Sequence, residues 1–227
     1  MKEEFQRTAK LIGEEACQKL SEAGVLVFGV GGVGSYVCEA LVRAGIGAIE
    51  IVDKDTIDRT NINRQLIALN STVGRAKVDV ERERLKDINP EIEIEARRIF
   101  YTPESASEFD FSRYDYVVDA VDNVTAKIDI ICRCKEAGVP VISSMGTGNK
   151  LDPLAFKVSD IEDTKVCPLA KIVRKELRKR GIRGIKAVYS EEEPVNTGGR
   201  APASISFVPS AAGLLIASEV IKDLIKK

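Results

Sequence analysis

Apolar and polar positions along the chain follow two alternating patterns. Short, almost continuous apolar runs, such as residues 25–28, alternate with longer segments in which apolar residues recur every three or four positions. The first pattern is typical of strands buried on both faces, and the second of amphipathic helices. Strands that alternate with helices predict an α/β fold, a Rossmann-like, doubly wound and mainly parallel sheet.

The predicted elements fall into two parts that meet near Lys150. A helix over 1–23 precedes a first part with strands at 24–28, 48–52, 92–99, 114–121 and 139–143 and helices at 35–43, 74–89, 102–112 and 125–138. After Lys150 the rhythm changes, with strands predicted at 154–158, 186–189 and 205–208 and helices at 167–179 and 211–225. We expect the later strands to extend the sheet in antiparallel fashion.

The segment 190–204 is rich in Glu, Pro, Gly and Ser and has no periodicity, so we expect a flexible loop there. The chain shows no internal repeat and no linker long enough to separate two domains. We therefore predict one domain over 1–227, with a core at 24–150 and an extension at 151–227 that ends in a helix.

A glycine cluster joins the first predicted strand to the following helix. It reads Gly29-x-Gly31-Gly32-x-Gly34, and the second strand of the unit ends in Asp53. Glycines let the backbone turn tightly beside a phosphate, the helix N-terminus offers free N–H groups, and the acid accepts hydrogen bonds from ribose hydroxyls. The unit predicts a nucleotide site and makes 24–150 a nucleotide-binding core.

Further polar residues follow the ends of the predicted parallel strands, where ligands bind in open α/β sheets. They are Asn61, Asn63, Arg64 and Gln65 in the loop after the second strand, Lys77 on the next helix, and Asp122 and Asn123 after the fourth strand. Taken singly, each is equally compatible with a surface or capping role. Taken together at one sheet edge, they favour a functional site.

The charges of this set indicate which nucleotide binds. Arg64 and Lys77 are two cations beside a phosphate-binding turn, and Asp122 is placed to hold Mg²⁺. Two cations and a metal carboxylate exceed the needs of a dinucleotide and suit a triphosphate. Cleavage of ATP between its α- and β-phosphates would place charge on oxygens that these groups stabilise.

Composition excludes several kinds of chemistry. The 227 residues contain 34 Lys and Arg against 35 Asp and Glu, so nucleic acid would have to contact a local patch. Histidine is absent, which removes a Ser-His-Asp triad, a Cys-His pair and any His metal ligand. Five cysteines without CxxC spacing, and no signal-peptide or bilayer-length apolar run, predict reduced thiols, a cytoplasmic location and no membrane partner.

The glycine cluster, Asp53, the run Thr60-Asn61-Ile62-Asn63-Arg64-Gln65, Lys77 and Val121-Asp122-Asn123 together resemble the ThiF/MoeB/E1-like family. These enzymes adenylate a carboxylate with ATP and Mg²⁺. The resemblance implies that Asp53 holds the ribose, that Asn61, Arg64 and Lys77 hold the phosphates, and that Asp122 binds Mg²⁺ or sits beside it. It also implies a homodimer in which Arg7, six residues before Gly13, reaches the γ-phosphate of the other subunit. Because no CxxC pair occurs, we expect no structural zinc.

The short chain, the Thr-Asn-Ile-Asn-Arg-Gln run and the segment 201–209 resemble one subfamily in particular, the tRNA threonylcarbamoyladenosine dehydratases. The resemblance implies that a carboxylate on the modified adenosine at tRNA position 37 is adenylated, that its carbamoyl group then closes a ring, and that AMP and pyrophosphate are released. It leaves open whether a sulfur-relay protein associates. Because this chemistry needs no thioester, we assign no covalent role to Cys167.

A basic helix predicts contact with tRNA, and three rival functions are compatible with parts of the sequence. A basic helical face is usually only solvated, but here it offers a local patch for RNA phosphates. The residues of this patch are Lys171, Arg174, Lys175, Arg178 and Lys179. The rivals are adenylation of a sulfur-carrier protein C-terminus, a nicotinamide-dependent dehydrogenase that would leave Arg64, Lys77 and Asp122 unused, and a non-catalytic nucleotide-sensing module that binds RNA.

Overall fold

The computed structural model describes residues 2–198 and 202–226. Within them, seven strands form one sheet in the order β3-β2-β1-β4-β5-β7-β6. The strands are β1 (Gly24–Phe28), β2 (Ala48–Val52), β3 (Glu93–Arg97), β4 (Tyr116–Asp119), β5 (Val141–Ser144), β6 (Phe156–Asp160) and β7 (Lys186–Ser190). All neighbours pair in parallel except β6 and β7, which pair antiparallel. The predicted Rossmann-like, mainly parallel sheet is confirmed.

Helices cover both faces of this sheet, because successive residues of a buried strand point to opposite sides. The helices are α1 (Gln6–Ile12), α2 (Glu14–Glu22), α3 (Gly34–Ala44), α4 (Lys77–Ile88), α5 (Val124–Ala137), α6 (Pro168–Lys179) and α7 (Phe207–Lys226). In β1, Val25 and Val27 face a core shared with α3 and α7, whereas Leu26 and Phe28 face a second core shared with α5 and α6. Within the described ranges, no helix is long and apolar enough to cross a bilayer.

The topology places a crevice at one edge of the sheet. Strand β1 lies between β2 and β4. The β1–β2 crossover through α3 and the β4–β5 crossover through α5 run in opposite directions along the sheet. A crevice opens beyond the carboxyl ends of the strands where the strand order reverses. The residues that follow β1, β2, β4 and β5 therefore meet at one place.

Three predicted elements differ from the structure. The single helix over 1–23 is two helices, because Gly13 breaks it with a φ of 89°. The helix predicted over 102–112 is wrong. This segment forms only the 3₁₀ turns Ala106–Glu108 and Phe111–Arg113, since Phe109 and Phe111 turn inward onto the ring of Phe28.

The strand predicted over 205–208 is also wrong. Phe207 is the first residue of α7, and Pro209 stands in the first helical turn, where its missing N–H is tolerated. The extension therefore adds a single antiparallel pairing within the described residues, between β6 and β7. The loop predicted over 190–204 includes 199–201, which lie outside the described residues, while Ser190 itself ends β7.

Candidate active site

A cavity of about 690 Å³ lies at the carboxyl edge of the sheet, at the reversal point between β1 and β4. Its walls are the glycine turn after β1, the loop after β2, residues 120–123 after β4 and residues 144–150 after β5. Its volume and position are typical of a site for a small organic ligand. A cavity therefore lies at the sheet edge where the sequence predicts a site.

The glycines of the turn permit its close backbone packing and line the cavity. Gly29 has a φ of 91°, and a Cβ there would lie 2.7 Å from the carbonyl oxygen of Ala120. A Cβ on Gly34 would lie 1.7 Å from the oxygen of Gly29. These two glycines permit close backbone packing. Gly31 and Gly32 line the cavity, and so does Gly29.

Asp53 ties the end of β2 to the glycine turn. Its Oδ2 accepts a hydrogen bond from the N–H of Val30 at 2.7 Å, and its Oδ1 accepts one from the N–H of Asp55 at 2.9 Å. Its side chain is 10% exposed and lines the cavity. Because each carboxylate oxygen can accept more than one hydrogen bond, Asp53 keeps capacity for a ribose hydroxyl.

Lys77 is the first residue of α4 and reaches back to the same wall. Its Nζ lies 3.0 Å from Oδ2 of Asp55 and 3.9 Å from Oδ2 of Asp53. Partial burial acts to raise the pKa of Asp55, but the hydrogen bond and charge of Lys77 outweigh it and leave that pKa below its ordinary value. Sequence reasoning missed Asp55, although its position two residues after Asp53 was a usable signal.

The loop after β2 brings only part of its predicted set to the cavity. Arg64 lines it and donates from Nη1 to the Thr60 carbonyl at 3.0 Å and to Oδ1 of Asn63 at 2.9 Å. Gln65 also lines it, is 7% exposed, and has an Oε1 with no hydrogen-bond partner among the described residues. Such a buried carbonyl oxygen is suited to accept a hydrogen bond from a ligand.

Asn61 and Asn63 have structural partners instead. Asn61 accepts a hydrogen bond from the N–H of Asp58 at 3.1 Å and completes a capping box on the 3₁₀ turn Arg59–Asn61. Asn63 donates from Nδ2 to the carbonyl of Ser204 at 2.9 Å. Neither belongs to the described cavity wall, so their contact with a nucleotide stays a prediction.

The segment after β4 supplies an uncommitted carboxylate. Asn123 uses its Oδ1 to accept the N–H of Ala126 at 2.9 Å, so it is the N-cap of α5. Asp122 lines the cavity, is exposed, and makes neither a hydrogen bond nor an ion pair with the residues that the structure describes. A free carboxylate at this edge is available to a cation.

Arg7 lies far from this cavity within the chain. It is exposed on α1, two residues after Phe5, and the ring of Phe5 packs beside Gly45 before β2 begins. This places the start of α1 at the amino edge of the sheet, opposite the cavity. A role for Arg7 through a second subunit stays a prediction.

The far wall of the cavity carries Cys167 and Lys150. Cys167 is buried and precedes the first residue of α6. Lys150 is 4% exposed and donates from Nζ to the carbonyl of Glu192. Burial lowers the pKa of Lys150 below its ordinary value. Lys150 could not be predicted as a site residue, because a lysine in a polar turn carries no local signal of burial.

The basic helix α6 presents fewer free charges than its sequence indicates. Arg174 donates to the Thr164 carbonyl at 2.8 Å, Arg178 to Glu162 from Nε at 2.6 Å, and Lys179 to Glu176 at 2.6 Å. In the described part of the chain, Lys171 and Lys175 are exposed and have no such partner. Of the predicted patch, these two are best placed for an external anion.

No cluster of three or more His, Cys, Asp or Glu side chains within residues 2–198 and 202–226 is arranged to hold a metal ion. The expected absence of structural zinc remains a prediction. The Mg²⁺ role expected for Asp122 likewise stays a prediction.

Comparison with known proteins identifies relatives of this architecture. The chain is 43% identical over 244 aligned residues to a Bacillus subtilis (strain 168) protein named tRNA threonylcarbamoyladenosine dehydratase, with 100% of the chain and 96% of the relative covered. It is 38% identical over 199 residues to the protein of that name from Escherichia coli (strain K12), covering 84% of the chain and 74% of the relative.

A solved structure agrees with these sequence relatives. The crystal structure of Escherichia coli tRNA N6-threonylcarbamoyladenosine dehydratase, TcdA, in complex with ATP superposes with a TM-score of 0.93 at 35% identity, covering 98% of this chain and 94% of the other. The ThiF family model matches residues 5–227. Since the match spans both the nucleotide-binding core and the extension, this chain belongs to the ThiF family.

Proposed function

We propose that this protein is an ATP-dependent tRNA N6-threonylcarbamoyladenosine dehydratase. It adenylates the carboxylate of the modified adenosine and then lets that adenosine cyclise. The observation that carries the proposal is the end-to-end match, at 43% identity, to a dehydratase of that name. Adenylation of a sulfur-carrier protein, hydride transfer and nucleotide sensing without catalysis are not favoured.

The cavity fits ATP with its phosphates on the glycine turn. Gly31 and Gly32 offer backbone at the N-terminus of α3, and Asp53 is placed for ribose hydroxyls. Arg64 and Lys77 line the same cavity and carry the positive charge that leaving pyrophosphate needs. Lys77 must then share its ammonium between Asp55 and the phosphates. The ATP complex of the Escherichia coli relative supports ATP as the nucleotide.

Asp122 fits a role in holding Mg²⁺. Its exposed carboxylate has no partner among the described residues, and Mg²⁺ is commonly held by one or two carboxylates together with phosphate oxygens and water. When bound, the ion would neutralise part of the phosphate charge. Asn123, as the N-cap of α5, fixes the backbone beside Asp122.

The proposed reaction has two displacement steps. A carboxylate oxygen of the substrate forms a bond to the α-phosphorus, and the bond from that phosphorus to the β-phosphate oxygen breaks. The carbamoyl group, after losing a proton, then attacks the activated acyl carbon, and AMP leaves with the former carboxylate oxygen. The net change is loss of water. An internal nucleophile acts at a high effective molarity, which suits a chain without histidine.

Partners follow from the same proposal. The tRNA is held in part by α6, where Lys171 and Lys175 have free ammonium groups. Arg7 contributes to the active site of the second subunit of a homodimer. No contact among the described residues bears on whether a sulfur-relay protein associates. The free cysteines within the described residues suit the reducing cytoplasm, where we place the enzyme.

Pyrophosphate exchange into ATP tests the function directly. We expect exchange with an anticodon stem-loop that carries threonylcarbamoyladenosine and none with the unmodified stem-loop. Mass spectrometry of the modified stem-loop should show loss of one water with stoichiometric AMP. Exchange that requires a sulfur-carrier protein would contradict the proposal. Absence of exchange with every acceptor tested would also contradict it.

A further inference from the structure

A fully buried ion pair lies beneath the cavity. Asp119 is the last residue of β4 and Lys127 is in the first turn of α5, and both are 0% exposed. The Nζ of Lys127 lies 2.7 Å from Oδ2 of Asp119. The pair is absent from the site predicted from sequence, because only the fold brings the strand end under the helix.

Every strong donor of this ion pair has an acceptor. The three N–H groups of the Lys127 ammonium have three acceptors, which are Oδ2 of Asp119, Oγ of Ser143 at 3.3 Å and the carbonyl of Ser144 at 2.9 Å. The carboxylate of Asp119 also accepts the Ser143 hydroxyl at 2.6 Å and the N–H of Val121 at 3.2 Å. We call these side chains, Asp119, Lys127 and Ser143, the buried triad.

The buried triad adds side-chain hydrogen bonds at the point where two paired strands and their connecting helix meet. Asp119 and Ser143 are register partners on the parallel strands β4 and β5, and Lys127 belongs to the helix that connects those strands. Each hydrogen bond at its periphery goes to backbone, at Val121 on one side and Ser144 on the other. The triad therefore fixes the position of one strand exit relative to the other.

Both strand exits are walls of the active-site cavity. On one side, the segment held by Asp119 continues directly into Asp122. On the other side, Ser144 continues into Met145 and Gly146, and a Cβ on Gly146 would lie 3.8 Å from Sγ of Cys167. The triad thus spans the gap between the carboxylate proposed for Mg²⁺ and the far wall of the cavity.

Stability alone is a weak reason for such a group. Two charges removed from water carry a desolvation penalty that their mutual attraction roughly offsets, and well-packed apolar side chains of similar volume often serve as well or better. What a hydrogen-bonded buried pair adds is a defined geometry. Here it fixes the two segments after β4 and β5, which line the cavity where the nucleotide and the acyl substrate must meet.

We propose that Lys127 is a positioning residue for adenylation: through Asp119 and Ser143 it holds the Asp122 segment and the Ser144–Gly146 turn at the separation that aligns the substrate carboxylate with the α-phosphate. The inference rests on the proposed function for its substrate. The effect of the triad on the positions of the two cavity walls does not depend on which substrate binds.

The test uses the double variant Asp119→Asn/Lys127→Met, which removes both charges while Asn keeps an oxygen for the N–H of Val121. Lys135→Met is the matched control, because Lys135 is an exposed lysine on the same helix whose Nζ contacts only the Gly184 carbonyl within the described residues. We expect kcat for pyrophosphate exchange to fall about 10- to 100-fold in the double variant, with a smaller change in the KM for ATP. The control should match the wild type in both.

Unchanged kcat in a folded double variant would overturn the inference, as would a loss of kcat fully explained by the unfolded fraction seen in thermal melts. If the double variant does not fold, Ser143→Ala decides the matter, because it keeps the ion pair and removes one hydroxyl. We expect that variant to melt near the wild-type temperature and to lose kcat selectively. Wild-type kcat in Ser143→Ala would count against the triad.

Amide hydrogen exchange separates this inference from the proposed function. Without any tRNA, we expect faster exchange over residues 120–123 and 144–146 in the double variant, or in Ser143→Ala, than in Lys135→Met. If the wild type fails to react with modified tRNA, the proposed function fails, yet faster exchange in these two segments still supports the positioning role. Equal exchange in both segments overturns it.

Discussion

The ammonium of Lys77 lies 3.0 Å from Oδ2 of Asp55, and the Lys77 side chain is only 7% exposed. A nearly buried cation at the wall of the cavity is thus already held by a carboxylate that is itself half exposed. The backbone N–H of Lys77 also donates to the carbonyl of Asp55, at 3.0 Å. Asp55 therefore orients Lys77 before a nucleotide arrives.

Replacement of Lys77 tests whether this cation stabilises the leaving pyrophosphate. We expect Lys77→Met to lower kcat for pyrophosphate exchange by about 100-fold, because a fixed donor to developing charge is removed. Asp55→Asn, which keeps the side-chain shape, should reduce kcat less and tighten ATP binding, since it removes one negative charge. Isothermal titration and exchange kinetics check both. Equal kcat for Lys77→Met and the wild type would exclude the assigned role.

Asp122 should control the dependence on Mg²⁺. We expect Asp122→Asn to raise the Mg²⁺ concentration needed for half-maximal exchange by about 10-fold or more, because a neutral amide replaces the carboxylate ligand. Asp163→Asn is a suitable control, since Asp163 is an exposed acid on the 3₁₀ turn Ile161–Asp163 and lies outside the described cavity wall. A Mg²⁺ titration that does not distinguish the two variants would remove Asp122 from the metal site.

Gly32 is expected to leave room for the substrate carboxylate beside the α-phosphate. A Cβ there would lie 3.3 Å from Cβ of Pro209 and 3.4 Å from Cγ of Arg64, so a larger side chain must enter the cavity or displace Arg64. We expect Gly32→Val to abolish adenylate formation while the protein stays folded. Gly24→Ala is the control, because its Cβ meets only Cβ of Ala48 at 3.9 Å. Adenylate formation by Gly32→Val, followed by radiolabelled AMP, would show that this placement is wrong.

Glu81 makes the stability of the fold depend on pH. It is 0% exposed, and neither carboxyl oxygen has a hydrogen-bond partner among the described residues. Burial and then the charge of Glu39 raise the pKa of Glu81 well above 4.5, although Arg84 opposes the shift. The folded state therefore holds this proton more tightly than the unfolded state does.

The sign follows from that difference in proton binding. The contribution of Glu81 is fully present below the unfolded pKa, near 4.5, and is lost as pH rises through the folded pKa. We expect Glu81→Gln to gain stability relative to the wild type over this window, by about 1.4 kcal/mol per pH unit. Urea unfolding between pH 5 and pH 8 measures it. Asp87→Asn, an exposed position on the same helix, should show no such trend.

Sequence patterns were informative where a local rule determines the structure. The strand, turn and helix around Gly29 could be predicted because tight turns and helix N-termini have local sequence signals. The apolar run at 205–208 gave a wrong strand, because a first helical turn packed by Val208 has the same short apolar pattern as a strand. Gly13 is visible in the sequence, but nothing around it indicated that the helix predicted over 1–23 would break there.

The residues of the candidate site were easier to predict than the contacts between them. Arg64, Gln65, Lys77 and Asp122 do line one cavity, because the carboxyl ends of parallel strands meet at one edge. The pairing of Lys77 with Asp55 and the burial of Lys127 could not be predicted. Each depends on how segments that are distant in the sequence pack together in the fold, and no local sequence signal shows this. The same limit explains why the ion pairs on α6 could not be predicted.

Lys171 and Lys175 provide the last prediction, which concerns tRNA. They are four residues apart and share one face of α6, whose first residue, Pro168, lines the cavity. We expect Lys171→Ala/Lys175→Ala to weaken tRNA binding and to reduce the slope of log affinity against log salt by about 1 for each phosphate that the variant no longer neutralises. The KM for ATP should not change, because neither side chain lines the described cavity. Filter binding between low and moderate salt measures the slope. Lys10→Ala, an exposed lysine on α1, should keep the wild-type slope. An identical slope for all three proteins would place the tRNA on another face.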